Sequence, residues 1–368
     1  MFSRAFVRPA SFAQTCGNVF WQRFVSARRE SCVKTSRMKR KSKPHVAFLG
    51  LGAMGAPMAG RLAQAGFPVK GWNRNAARGA AAAKHGVELA ASPAEAVRGA
   101  DVVVTMLSDA RALDAVFSGK KGALAGLAPG ALVIEMSTSG RAAARRTAQR
   151  VARAKGRFVD APVSGTVGPA ERGELVAMVG GSAADVRDAE VVLGAMCRRV
   201  IHAGDVGQGQ ALKVLLNGIG AHHFVAFASM LVLGERAGLT REVLVDAFTS
   251  GAFASPSYVG KRAKVLAHDY SPEFSLALAL KDAALNVELQ DEVGLPLEVL
   301  RTIERVLAKA VKAGLGDEDL YAVEKWFARD RAVTPAARRS SRRGSRAGSH
   351  GSTPSLTTRA GSPGKGPR

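Results

Sequence analysis

The stretch that decides the fold is Val46-Ala47-Phe48-Leu49-Gly50-Leu51-Gly52-Ala53-Met54-Gly55. Four apolar residues stop at a glycine, and Met58, Leu62 and Ala65 follow at helical spacing. A Gly-x-Gly-x-x-Gly run alone carries little weight. Placed between a strand and an amphipathic helix, it has the context that dinucleotide binding requires. Gly50 permits the tight turn, Gly52 lets the backbone approach a pyrophosphate, and Gly55 lets the helix pack closely on the strand. Leu51, Ala53 and Met54 complete the turn, whose free N–H groups favour an anion at the helix N-terminus. The alternative is a glycine-rich strand-to-helix turn with no ligand.

Moving outward, Pro68–Trp72 reads as the next strand and ends in Asn73-Arg74-Asn75. An NAD site usually carries an acidic residue here for the ribose 2′-hydroxyl. A carboxylate would repel a 2′-phosphate, whereas the fork of Arg74, beside Asn73, can pair with it. The expected cofactor is therefore NADP, with NAD as the alternative; the competing view of Arg74 is a solvated loop charge. Further strands read at 101–106 and 131–136, each followed by a helical pattern, which argues a doubly wound parallel sheet. The turns 106–109 and 136–139 then line the cofactor crevice, with Met106, Leu107 and Thr138 as contact candidates. Thr138 is placed to reach the nicotinamide ribose or carboxamide; the alternative is a cap for a helix over 140–155, and the two are compatible.

Residues 157–159 form another strand, followed by a Pro/Gly-punctuated loop over 160–173 in which Ser164, Gly165 and Thr166 present N–H groups and hydroxyls suited to a carboxylate. The glycines at 204, 207 and 209 lead into a long helix reaching about Ala237. Lys213 and Asn217 lie four apart on one face of that helix, among Leu212, Val214, Leu215 and Leu216. A lysine in an apolar surface costs desolvation unless it is paired or used.

These motifs resemble those of the β-hydroxyacid dehydrogenase family, which includes 3-hydroxyisobutyrate dehydrogenases, tartronate semialdehyde reductases and glyoxylate/succinic semialdehyde reductases. The resemblance rests on GlyLeuGlyAlaMetGlyAlaProMetAla at 50–59, AspAlaProValSerGlyThr at 160–166, the 207–217 stretch and Lys281-Asp282, and it spans 46–330. It implies a catalytic role for Lys213, with Asn217 orienting the substrate. It places Ser164, Gly165 and Thr166 at the substrate carboxylate, Phe274 in the substrate pocket, Lys281 against the cofactor and Asp282 beside it in the substrate site. Ser164-Gly165-Thr166 departs from the SerGlyGly usual in 3-hydroxyisobutyrate dehydrogenases and looks more like the NADPH-dependent semialdehyde reductases. The implied chemistry is interconversion of a short hydroxy acid and its aldehyde, with Lys213 as proton donor in reduction. No metal is required. His222 and His223, about 100° apart on a helix, are poorly placed to share one.

The fold expected is an α/β Rossmann-type nucleotide-binding domain over 46–204 followed by an all-α domain over 205–330. Helical patterns run through Leu244 and Phe248, Leu278 to Leu289 and Leu297 to Val311. The family resemblance implies a homodimer or tetramer packed through that second domain.

The formal net charge of the 368-residue chain is +23, which at first suggests a nucleic-acid or membrane-surface protein. Residues 1–45 carry 11 basic and 1 acidic side chains, and 331–368 carry 9 basic and none acidic, so the 46–330 core is near neutral. The first segment reads either as an Arg-rich, acid-poor mitochondrial transit peptide or as sequence preceding a true start at Met38, giving a matrix or a cytoplasmic protein respectively. The Ser/Arg/Gly/Pro-rich 331–368 segment reads as a disordered basic tail. Cys16, Cys32 and Cys197 form no disulfide or metal framework. The most apolar stretch, 212–233, contains Lys213, Asn217, His222 and His223 and reads as a buried helix, not a membrane span. Two competitors remain: an imine reductase-like relative, disfavoured by Lys213 where those enzymes usually carry Asp or Tyr, and a non-catalytic nucleotide fold that binds nucleic acid through its tails. Nucleic acid and membrane are not expected partners.

Overall fold

The structure, a computed structural model, describes residues 42–329. The transit-peptide, Met38 and C-terminal-tail readings lie outside the described residues.

The chain begins with β1 (Val46–Leu49), α1 (Gly55–Gln64), β2 (Val69–Trp72), the short α2 (Ala80–Ala83), β3 (Glu88–Leu89) and α3 (Pro93–Val97). It continues through β4 (Val102–Thr105), α4 (Ala110–Phe117), α5 (Ala123–Gly126), β5 (Leu132–Glu135), α6 (Arg141–Arg153) and β6 (Arg157–Asp160). Strands β1 to β6 are parallel in the order β3-β2-β1-β4-β5-β6. The order reverses between β1 and β4, and a ligand crevice forms outside the carboxyl ends of strands at such a switch point. Both faces of these strands are covered. Val46 and Phe48 pack with Met58, Leu62, Val104 and Ile134 on one side, while Ala47 and Leu49 pack with Val103, Leu113, Phe117 and Val133 on the other. This double burial is why the strands read as continuous apolar runs.

Next come β7 (Val163–Ser164), α7 (Val167–Arg172), β8 (Leu175–Gly180), α8 (Ala183–Leu193) and β9 (Cys197–Gly204). Strand β8 runs antiparallel to β6 and β7, and β9 runs parallel to β8. Neither β8 nor β9 is among the strands marked by the sequence pattern, and the presumed loop over 160–173 contains β7 and α7. The helix after β5 also differs from expectation: it starts beyond Gly140, at φ 85°, without a side-chain cap, so Thr138 does not cap it.

The second half is helical: α9 (Gln208–Arg236), α10 (Arg241–Ser250), α11 (Pro256–Leu266), α12 (Leu276–Glu292), α13 (Glu298–Ala310) and α14 (Val323–Arg329). Thr240, Ser255 and Ser275 cap α10, α11 and α12 with side-chain oxygens. Ala221, Val225 and Ala228 of α9 pack with Leu276, Ala279, Ala283, Ile303, Leu307 and Val323. The expectation of a buried α9 needs correcting. Leu215, Ile219, Met230 and Leu233 form an uncovered stripe, with Ile219 57% and Leu233 58% exposed. The helix is long and apolar enough to cross a membrane, yet its opposite face is core to this helical half.

Candidate active site

A cleft of about 1130 Å³ opens between the two halves. It is lined by Gly50, Gly52, Ala53, Met54, Gly55, Asn73, Arg74, Met106, Leu107 and Thr138 from the sheet side. Ser164, Gly165, Thr166, Lys213, Asn217, Phe274, Lys281 and Asp282 complete it. Of the residues named from the sequence, Leu51 alone is not on the wall: its side chain is fully buried in the core. Its backbone N–H donates to Asn73 Oδ1 at 3.0 Å.

The three glycines have three different environments. Gly50 has φ 105°, and a Cβ there would lie 2.2 Å from the Met106 carbonyl oxygen. A Cβ on Gly55 would lie 1.8 Å from the Gly50 carbonyl oxygen, so the first turn of α1 sits directly on the strand end. A Cβ on Gly52 would meet nothing within 4 Å; it would project into open space. Met54, at the N-terminus of α1, offers no side-chain cap. The residues therefore fit a dinucleotide: a cradle that a side chain would fill, below an uncapped helix N-terminus.

Asn73 is a structural tie as well as a cleft residue. Its Oδ1 receives the Leu51 N–H, and its Nδ2 donates to the Asn75 carbonyl at 2.8 Å, fixing the glycine turn to the end of β2. Arg74 is exposed on the wall, and Arg78 and Lys121, which the motif reading missed, line the same cleft. Among the described residues none of these three cations has an ion-pair partner.

On the opposite wall, Lys281 Nζ donates to the Thr138 carbonyl at 2.7 Å and the Ser108 carbonyl at 3.3 Å, spanning from α12 to the turns after β5 and β4. Asp282, buried beside it, accepts from Asn217 Nδ2 at 2.6 Å through Oδ2. Its Oδ1 stands 3.2 Å from Lys281 Nζ, charge-paired without a directed hydrogen bond. Asp282 thus holds Asn217 by a hydrogen bond and Lys281 by charge, while its Oδ1 on the cleft side keeps its hydrogen-bonding capacity unused. Burial lowers the Lys213 pKa to about 8, with Lys281 adding to the lowering and Asp282 opposing it.

Lys213 is placed by the anchoring of α9. The helix begins at Gly207, which has no side chain to cap it, and the missing acceptor comes from β6. Asp160 Oδ1 accepts from the Gly207 N–H at 2.6 Å, and Oδ2 from the Gln210 N–H at 2.7 Å. The signal was present in the sequence: a glycine-led helix start needs an outside acceptor, and a strand ending in Asp supplies one.

Two family models cover this architecture: the NAD-binding domain of 6-phosphogluconate dehydrogenase over residues 45–204, and the NAD-binding domain of NADP-dependent 3-hydroxyisobutyrate dehydrogenase over residues 207–327. Glyoxylate/succinic semialdehyde reductase 1 of Arabidopsis thaliana is 34% identical, over 76% of this chain and 96% of its own length. The chain belongs to the β-hydroxyacid dehydrogenase family. A probable mitochondrial 3-hydroxyisobutyrate dehydrogenase of Dictyostelium discoideum is 32% identical, over 78% of this chain and 91% of its own. The Mycobacterium tuberculosis 3-hydroxyisobutyrate dehydrogenase solved with L-serine is 33% identical, with a TM-score of 0.70 over 77% of this chain and 99% of its own. This chain is accordingly an NAD(P)-dependent hydroxyacid dehydrogenase or reductase, and its nucleotide-binding half and helical half are those of the family.

Proposed function

We propose that this dehydrogenase works as an NADPH-dependent reductase of short carboxylate-bearing aldehydes, with Lys213 as the proton donor. The observation that carries the reading is Lys213 itself: a lysine on the cleft wall, with Asn217 one turn on and a pKa of about 8. The glycine turn would hold the pyrophosphate of NADPH, which would supply the hydride when bound. The Ser164 hydroxyl, the Gly165 N–H and Thr166 hold the substrate carboxylate, and Thr166, at the start of α7, spends no side-chain bond on capping it. Phe274 closes the apolar side of the pocket. Lys213 Nζ protonates the aldehyde oxygen as the carbon is reduced, becomes neutral, and recovers its proton from solvent. A positioned acid of this kind contributes about 10²- to 10⁴-fold. At neutral pH a lysine with a pKa of about 8 is mostly ammonium, which suits reduction; oxidation of the hydroxy acid needs the neutral amine and gains above that pH.

The preference for NADPH is supported by Arg74 where an acidic residue would favour NAD, and by the Arg78 and Lys121 charges on the same wall. We also propose that a second copy covers the Leu215, Ile219, Met230 and Leu233 stripe of α9, giving a homodimer or tetramer. A panel assay tests the catalytic reading: NADPH and NADH with glyoxylate and with the succinic, methylmalonic and tartronic semialdehydes. Turnover of at least one aldehyde, faster with NADPH, is expected. Turnover of none, or a preference for NADH, would overturn it.

A further inference from the structure

Glu135, at the end of β5, is a fully buried carboxylate to which the mechanism above gives no task. Its Oε1 accepts from the Ser137 N–H at 2.8 Å. Its Oε2 accepts from Ser139 Oγ at 3.0 Å and from Gln210 Nε2 at 2.8 Å. Gln210, equally buried, is a fully committed amide. Its Nε2 also donates to the Ser137 carbonyl at 2.7 Å, and its Oε1 accepts from the Ser139 and Gly140 N–H groups, each at 3.1 Å. All the hydrogen-bonding capacity of that amide is used, so its orientation is fixed.

The connections of this cluster reach both walls of the cleft. Ser137 Oγ accepts the Leu107 N–H at 2.8 Å, which ties the turn after β4. The 136–140 segment carries Thr138, whose carbonyl receives Lys281. Gln210 lies three residues before Lys213 and seven before Asn217, on the same face of α9.

We propose that Glu135 and Gln210 are positioning residues. Through one buried hydrogen-bonded junction they fix the cofactor-side turns and the Lys213 face of α9 relative to each other. The proposal rests on the reductive reading above. Its physical basis is that hydride and proton delivery need both walls in register, and a displacement of about 1 Å costs about a hundredfold in rate. Four hydrogen bonds of the Gln210 amide, to Glu135, the Ser137 carbonyl and the Ser139 and Gly140 N–H groups, join those walls directly.

The test uses the full chain, assayed with whichever aldehyde the wild type reduces, so failure of the catalytic reading shows in the wild-type control and not in the variants. Gln210→Glu sets two carboxylates face to face and removes both Nε2 donors. Glu135→Gln turns an acceptor oxygen into an N–H group among donors. Each is expected to lower kcat about tenfold or more, raise the NADPH KM, and enlarge the primary deuterium isotope effect measured with 4-deuterated NADPH. The swapped pair Glu135→Gln/Gln210→Glu restores a donor opposite an acceptor between the two side chains, though not the donor to the Ser137 carbonyl, and is expected to regain part of the loss. Gln210→Asn, too short to reach Glu135 but compatible with the helix, supplies the same readouts if a charge-altering variant does not fold. The proposal is overturned by folded variants with unchanged kcat, KM and isotope effect, or by a kcat loss with unchanged KM and isotope effect, which marks only a smaller folded fraction. Absence of any recovery in the swapped pair would do the same.

Discussion

The sheet wall of the cleft presents Gly50, Gly52 and Gly55; the helical wall presents Lys213, Asn217, Lys281 and Asp282. The first recognises by backbone. Its chemistry is the space left where side chains are missing and the N–H groups of an uncapped helix, and it comes from six consecutive positions. The second acts by side chains that converge from α9 and α12, 65 residues apart at the Asn217–Asp282 bond. Damage to the two walls should therefore differ: a side chain added to the sheet wall costs fit or fold, while one removed from the helical wall costs chemistry.

The largest expected effect is on the helical wall. Lys213→Met keeps the length and apolar body of the side chain but removes the proton, and should lower turnover at least about a hundredfold while leaving NADPH binding intact. Steady-state kinetics with NADPH fluorescence titration measures both. Near-normal turnover would reject Lys213 as the proton donor.

The glycines sharpen the sheet side of the contrast. Gly55→Ala puts a methyl group 1.8 Å from the Gly50 carbonyl oxygen, an overlap that backbone must move to relieve, and such overpacking costs about 1–3 kcal/mol or more. Its melting temperature should fall clearly. Gly52→Ala meets no protein atom, so its melting temperature should stay near wild type while NADPH affinity drops about tenfold. Equal thermal losses in the two variants would mean that Gly52 serves packing and not the ligand.

This contrast also explains what the sequence revealed. The sheet wall was readable because its logic is local: a strand, a glycine spacing and a helix in one run. Lys213 and Asn217 were readable as a polar pair interrupting an apolar helix. Asp282 was harder, because its commitment to Asn217 and Lys281 exists only once α9 and α12 have packed together. Glu135 and Gln210 carried no local signal; the partners of each lie along the chain at separations of up to 75 residues. Strand β9 was missed because its exposed Arg198 and Arg199 break the apolar pattern, and of the two readings of Thr138 the cap fails because Gly140, at positive φ, is the residue that precedes α6.

The pH dependence follows from the direction of the Lys213 shift. On the proposed mechanism the ammonium is the active form in reduction, so the reductive rate should hold below about pH 8 and fall about tenfold per unit well above it. Oxidation of the hydroxy acid should rise through the same range. Asp282→Asn removes the charge that opposes the lowering, so both transitions should move to lower pH. A profile that does not move would separate Asp282 from Lys213 electrostatically.

The smallest effect concerns cofactor choice, because the sheet wall distributes that task. Arg74 and Arg78 emerge from the same turn after β2, which Asn75 stabilises by accepting the Ala77 N–H, and Lys121 faces the cleft from the segment after α4. An exposed charge-assisted contact to a phosphate is worth about 1.5 kcal/mol, or about tenfold in affinity. Losing Arg74 alone leaves Arg78 and Lys121 on the same wall, so on the proposed NADPH reading Arg74→Ala should reduce the NADPH-to-NADH ratio of kcat/KM by about tenfold at most. Adding Arg78→Ala should lower it further, and NADH kinetics should change little in either variant because NADH has no phosphate there to lose. Raising the ionic strength should shrink the wild-type preference in the same direction, since the three charges stand at a solvent-open wall and are screened. If NADH kinetics worsened as much as NADPH kinetics, Arg74 would be supporting the turn and not reading the phosphate.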